Sequence, residues 1–203
     1  MFLTRMALDM SHEETQHLIR SPQLQYAKVL DAFDQKDSLP QVLWRIDSLD
    51  GRLWFVMLSR LRPDLHAFHL ACGYQGVFPS WHTIDYDDLL DEIDIKEPHF
   101  FELCAIPVKP LTSPSHPIAS PTALRNWLKG RSKKSGFRLL SLTSLTSCWK
   151  LVDGKYLLFA WWEGKLEIED LSRFTEATYR GLGYGHDLGA GLLTLSHTDF
   201  WGF

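Results

Sequence analysis

The sequence predicts an α+β fold built from two tandem ferredoxin-like (RRM-like) domains. Two Ser-Pro helix starts, Ser21-Pro22 and Ser120-Pro121, stand about 100 residues apart. Through residue 106, the apolar stretches give the order strand, helix, strand, strand, helix, strand. A segment holding Pro107, Pro110, Pro114 and Pro117 with several serines then divides the chain. The expected organisation is an N-terminal domain over 1–106, a linker over 107–120 and a C-terminal domain over 121–203. A chain of 203 residues suits two domains of this size.

Phe2 to Leu8 alternates as a first strand. Ser21 is placed to cap a helix whose first residue, Pro22, loses nothing by lacking an N–H. That helix is expected to reach Phe33, with Leu24, Ala27, Leu30 and Phe33 on its apolar side and Tyr26 and Val29 at the edge. Val42–Ile46 and Leu53–Ser59 read as strands joined at Asp50-Gly51. Short helices are expected over Pro63–Ala71 and Tyr86–Ile93. His99–Ile106 is expected as the strand that closes the first domain.

In the second half, Ser120-Pro121 opens a helix to about Lys129, and Gly130–Ser135 reads as a basic loop. Phe137–Thr143 and Ser147–Val152 are strand candidates. Lys155–Trp162 and Lys165–Ile168 form a hairpin around Glu163-Gly164. Asp170 caps a helix that ends near Arg180, and Leu192–Leu195 reads as the last strand. This half is a less regular unit of the same kind.

Between that helix and strand lies Gly181-Leu182-Gly183-Tyr184-Gly185-His186-Asp187-Leu188-Gly189-Ala190-Gly191. Glycine lets backbone approach a ligand closely and adopt positive φ. Successive N–H groups in such a loop can form an anion nest. The order is helix, glycines, strand, the reverse of a dinucleotide fingerprint, so a Rossmann site is rejected. Two readings stay open at this point: a nest for phosphate, or glycines that let a loop cross a sheet tightly.

Net charge is −4, but its distribution is uneven. Asp85 to Glu102 holds eight acids against Lys96 alone. From Leu103 to Val152 there is no acid, and the span carries Lys109, Arg125, Lys129, Arg131, Lys133, Lys134, Arg138 and Lys150. An acid-free run of that length points to a polyanion partner at least as readily as to a solvated basic face. Cys72, Cys104 and Cys148 are odd in number and far apart, which fits reduced thiols of a cytoplasmic protein. There is no membrane-length apolar run and no signal-peptide pattern. His66 and His69 have helical metal spacing but no third ligand, so no metal and no cofactor is expected.

In order along the chain, several segments resemble the CasE family, the CRISPR repeat-processing endoribonucleases of the type I-E systems. They are Met1-Phe2-Leu3-Thr4-Arg5, Ser21-Pro22 with its helix, Leu43-Trp44-Arg45 and Phe101 to Lys109. They continue with Trp127-Leu128, Gly136-Phe137-Arg138-Leu139-Leu140, Glu163-Gly164-Lys165-Leu166 and Gly181 to Leu195. The resemblance implies binding of a CRISPR repeat hairpin RNA and metal-independent cleavage to a 2′,3′-cyclic phosphate. It also implies retention on the guide with other subunits of a CRISPR effector complex. The charge asymmetry together with this resemblance places the expected RNA contacts on Lys109, Arg125, Lys129, Arg131, Lys133, Lys134, Arg138, Lys150 and on Gly181, Gly183 and Gly185.

The chain departs from the family pattern in three places. Tyr26 stands where the family has its catalytic histidine, and His186 where it has a loop lysine. Glu102, Cys104 and Ile106 replace two arginines and an asparagine. Tyr26 and His186 are therefore the candidate acid–base pair. A free phenol, with a pKa of about 10, is about one part in a thousand ionised at pH 7 and suits proton donation better than uptake. Imidazole titrates near neutrality and suits uptake. The alternative is a catalytically inactive RNA-binding subunit that caps the guide hairpin.

Overall fold

The computed structural model describes residues 1–34, 41–49, 51–76, 81–108 and 118–196. The chain divides into two units. The first comprises Met1–Glu92 with Asp187–Gly189, and the second Ile93–His186 and the chain from Ala190.

The first unit runs β1 (Phe2–Leu8), α1 (Glu13–Leu18), α2 (Pro22–Asp31), β2 (Leu43–Leu49), β3 (Arg52–Ser59), α3 (His66–Cys72), β4 (Trp81–Asp85) and α4 (Tyr86–Asp91). Its sheet is antiparallel in the order β2-β3-β1-β4. One core gathers Met6 and Leu8 of β1, Trp44 of β2, Phe55 and Met57 of β3, Val29 of α2 and Phe68 of α3. Alternation explains the sharing: residues two apart on a strand face the same side. Ser21 Oγ accepts the Leu24 N–H at 3.2 Å, the expected cap of α2.

The second unit runs β5 (His99–Ala105), α5 (Pro121–Ser132), β6 (Phe137–Val152), β7 (Lys155–Ile168), α6 (Leu171–Arg180) and β8 (Leu193–Ser196). Its sheet has the order β6-β7-β5-β8. Numbered within each unit, both sheets read 2-3-1-4. The fold is thus two tandem ferredoxin-like domains, as the sequence predicts. Ser120 Oγ caps α5 through the Ala123 N–H (3.2 Å), and Asp170 caps α6 through the Arg173 N–H (3.0 Å).

Four expectations are corrected. His99–Ala105 does not close the first domain. It pairs with β7 and β8 and opens the second, while β4, which the sequence reading lacks, closes the first. The boundary therefore falls near Glu92, not 106. Of the expected linker, 109–117 lies outside the described residues, as does Asp50 of the first turn. The basic run 130–135 is not a loop: α5 continues to Ser132, and a 3₁₀ turn covers Lys133–Ser135.

Glu163-Gly164 is not a turn. It lies inside β7 opposite two irregularities in β6, between Leu139 and Ser141 and between Leu142 and Ser144. A Cβ on Gly164 would stand 2.1 Å from the Ser141 carbonyl oxygen, so glycine admits the bulged strand. The turn is Asp153-Gly154, both at positive φ (48° and 74°). Lastly, α2 buries Pro22, Gln25 and Val29, while Leu24 is 47% exposed. Of the expected apolar side, Leu24 and Ala27 are exposed and Phe33 is buried, and Gln25 takes an inward place because its amide donates to Leu18 and accepts from Trp44.

Candidate functional site

The acid-free segment places its cations unequally. Arg125 and Lys129 lie one turn apart on α5, and both are exposed. With Asn126 they face the bulged run Leu139–Leu142 of β6 across a groove of about 350 Å³. Lys133 and Lys134 continue the exposed charge on the 3₁₀ turn. At the C-terminal end of α5 these cations also meet the negative end of the helix dipole.

The other predicted cations have partners. The Arg131 guanidinium lies 5.5 Å from the Trp127 ring centre. Arg138 donates from Nη2 to Glu167 Oε2 at 2.5 Å, and its Nε lies 3.4 Å from Glu169 Oε1. Lys150 sits over Phe159 (4.6 Å) and Trp161 (5.5 Å), which stack on each other. Lys109 lies outside the described residues.

The glycine loop hangs on the strand that the family pattern singles out. Gly191 N–H donates to the Cys104 carbonyl (2.6 Å), Tyr184 N–H to Ile106 (3.3 Å), and Leu182 N–H to Gly191 (2.9 Å). Gly181, Gly183 and Gly185 have φ of 77°, 96° and 81°, a region side chains disfavour. Gly183 also needs its lack of a Cβ, which would stand 3.0 Å from the Ile106 carbonyl oxygen. The tight-crossing reading has direct support, since the loop lies against the end of β5. The nest reading loses Gly181, whose N–H already donates to the Ala177 carbonyl at 2.9 Å.

His186 begins a 3₁₀ turn to Leu188. Its imidazole lies over Gly191, where a Cβ would stand 2.5 Å from Cδ2 and 2.9 Å from Nε2. The ring is half-buried.

Tyr26 belongs to the first unit, on the exposed side of α2 (42% exposed). Its ring stacks on Trp44 of β2 with centres 5.7 Å apart and planes 19° apart. Trp44 is itself buried and donates Nε1–H to Gln25 Oε1 at 3.3 Å. Gln25 Nε2 donates to the Leu18 carbonyl at 3.0 Å. Gly189, which groups with this unit, packs on the same pair: a Cβ there would stand 2.9 Å from Trp44 Nε1 and 3.0 Å from Gln25 Oε1. Gln25 escaped the sequence reading because a buried glutamine leaves no apolar signal. Just before α1, His12 bonds the Ala71 carbonyl through Nδ1 (3.0 Å), and His17 on α1 is exposed beside Glu13.

Among the described residues no three His, Cys, Asp or Glu side chains gather as a metal site, and no helix is long and apolar enough to cross a membrane. His69 is buried with its ring against Trp81.

Fold and chain order together define a tandem ferredoxin-like protein. A family model described as CRISPR associated protein matches residues 1–197, and the chain belongs to that family. The CasE resemblance of the sequence stands with this match. No curated protein matches the chain.

Similar solved structures include Thermus thermophilus Cse3 bound to an RNA representing a pre-cleavage complex. The identity is 22%, covering 97% of this chain and 98% of that one, with a TM-score of 0.79. The CRISPR-associated protein Cas6e from Escherichia coli str. K-12 is 16% identical over 97% of this chain and 99% of its own, with a TM-score of 0.65. A chain of a CRISPR RNA-guided surveillance complex, pre-nicking, is 21% identical over 97% and 99%, with a TM-score of 0.61. At these identities the likeness establishes the fold.

Proposed function

We propose that this protein binds the repeat hairpin of a CRISPR RNA and cleaves it without metal. It then remains on the guide as one subunit of an effector complex in the cytoplasm. The observation that carries the proposal is the row of exposed cations Arg125, Lys129, Lys133 and Lys134 in the acid-free segment. Family membership supports it. So do the RNA in the Thermus thermophilus Cse3 structure and the surveillance complex among the similar structures. The RNA-binding set is these four residues with Lys109, Arg131, Arg138, Lys150 and the loop backbone at Gly181, Gly183 and Gly185.

The reaction needs three events. A base takes the proton of the 2′-hydroxyl upstream of the scissile phosphate. The freed oxygen attacks phosphorus, and the bond to the 5′-oxygen breaks. An acid protonates that leaving oxygen. The products are a 2′,3′-cyclic phosphate and a 5′-hydroxyl. In this proposal Tyr26 is the acid and His186 the base, and exchange with water resets both. The His186 ring packs over Gly191.

That same packing favours the second reading, a guide-capping subunit without cleavage. Purified protein incubated with its repeat RNA in EDTA separates the two. The first reading expects a single cut with a cyclic phosphate end. It also expects Tyr26→Phe and His186→Ala to slow cutting by about 100- to 10,000-fold while binding holds. Tight binding with no cut establishes the capping subunit. Full activity in Tyr26→Phe returns that ring to packing and moves the search to His12 and His17.

A further inference from the structure

We infer that Trp44 is a positioning residue that ties the end of the glycine loop to Tyr26. The inference rests on the reading of Tyr26 as the catalytic acid. An exposed ring on a helix keeps its rotamer freedom unless something holds it. What lies against the Tyr26 ring is the Trp44 face, nearly parallel at 5.7 Å. Trp44 has no such freedom. It is 1% exposed, and its Nε1–H is held by Gln25, which is anchored in turn to the Leu18 carbonyl.

The same indole meets Gly189 along its edge. A Cβ on Gly189 would stand 2.9 Å from Trp44 Nε1 and 3.3 Å from Cδ1, and Gly189 has φ of 77°. The phenol thus rests on the face of the indole and the loop segment on its edge. Close-packed groups of this kind pass a displacement on instead of absorbing it. A shift at Gly189 tilts the indole against Gln25, and the tilt moves the surface on which Tyr26 lies. The loop's seating and the direction of the Tyr26 hydroxyl become one variable. Glycine at 189 is then required by the seat as well as by the turn.

The test uses the full chain labelled with ¹³Cζ-tyrosine, in which Tyr26→Phe identifies the Tyr26 resonance among six tyrosines. Trp44→Phe, Gln25→Leu and Gly189→Ala are compared, each checked for a cooperative melt; Gln25→Leu and Gly189→Ala carry the test if Trp44→Phe fails to fold. Each is expected to shift the Tyr26 resonance in the free protein while the other five hold still. Under single-turnover conditions at saturating repeat RNA, Gly189→Ala is expected to cut about 10- to 100-fold more slowly. Adding Gly189→Ala to Tyr26→Phe is expected to cost almost nothing more, since groups acting as one unit are not additive.

An unmoved Tyr26 resonance in Gln25→Leu and Gly189→Ala overturns the inference, and so does full multiplication of the two rate losses. A wild-type protein that binds but never cuts sinks the catalytic reading alone. The resonance shifts still decide whether Trp44 links loop and ring.

Discussion

The exposure of the cations makes a quantitative prediction about RNA affinity and salt. If about five phosphates are neutralised, log affinity falls against log salt with a slope of about −3.5 on the single-strand coefficient and about −4.5 on the duplex one. Between 50 and 200 mM salt that loses about 130- to 500-fold. Arg125, Lys129, Lys133 and Lys134 are the exposed cations here that no carboxylate holds among the described residues. Their joint replacement by alanine leaves about one phosphate contact, so the loss over the same range is expected to shrink to about three-fold. Arg138 is the internal control. Its guanidinium already faces Glu167 and Glu169, so Arg138→Ala frees two carboxylates as it removes one cation. It is expected to weaken binding by charge repulsion while changing the slope little. Fluorescence anisotropy with a labelled repeat hairpin at four salt concentrations measures both. A quadruple variant with the wild-type slope refutes the placement of RNA along α5. A flattened slope in Arg138→Ala refutes the inference from its ion pairs.

Gly164→Ala is expected to lower the thermal midpoint by several degrees, because overpacking costs about 1–3 kcal/mol and the obstacle is backbone, the Ser141 carbonyl at 2.1 Å; a midpoint within one degree of wild type refutes the close approach. Cys72 supplies a pH test. Burial pushes its thiol above the usual range, against a smaller opposing effect of the Thr15 hydroxyl. Folding therefore favours the neutral thiol, and that stabilisation is complete below the unfolded thiol's pKa, about 8.5. It is lost as pH rises toward the folded value. The midpoint difference between wild type and Cys72→Ala is expected to shrink from pH 8 to pH 10, and a constant difference refutes it.

Local chemistry carried much of the fold into the sequence. Ser21, Ser120 and Asp170 each announce a helix by a side-chain oxygen that meets a free N–H three residues on, and each does so in the structure. What the sequence hid was partnership at a distance. His99–Ala105 reads correctly as a strand, but nothing within it says whether it pairs with β1 or with β7. The sequence therefore places the domain boundary too late, and β4 leaves no strand signal because Trp81–Asp85 is half-buried and leads into an acidic run. Glu163-Gly164 misled for a related reason. A glycine needed for a neighbouring bulge looks, from its own strand, like a glycine needed for a turn.

The candidate site was legible where function had been read by position and illegible where it depends on burial of polar groups. Tyr26 was found because a chain position, four residues past the helix-start proline, pointed to it. Gln25, one residue earlier, was passed over because apolar periodicity treats a glutamine as surface. Yet burial of Gln25 costs little here, since donor and acceptor are both satisfied, by Leu18 and Trp44. That pairing selects which face of α2 turns inward, and so leaves Leu24 and Tyr26 outside. A hydrogen-bonded polar residue therefore joins the buried Val29, Ala32 and Phe33 in setting the orientation of the helix that carries the candidate acid. Leucine at 25 would raise the apolar moment of α2 and still loosen that orientation, because the indole N–H of Trp44 would be left without its acceptor.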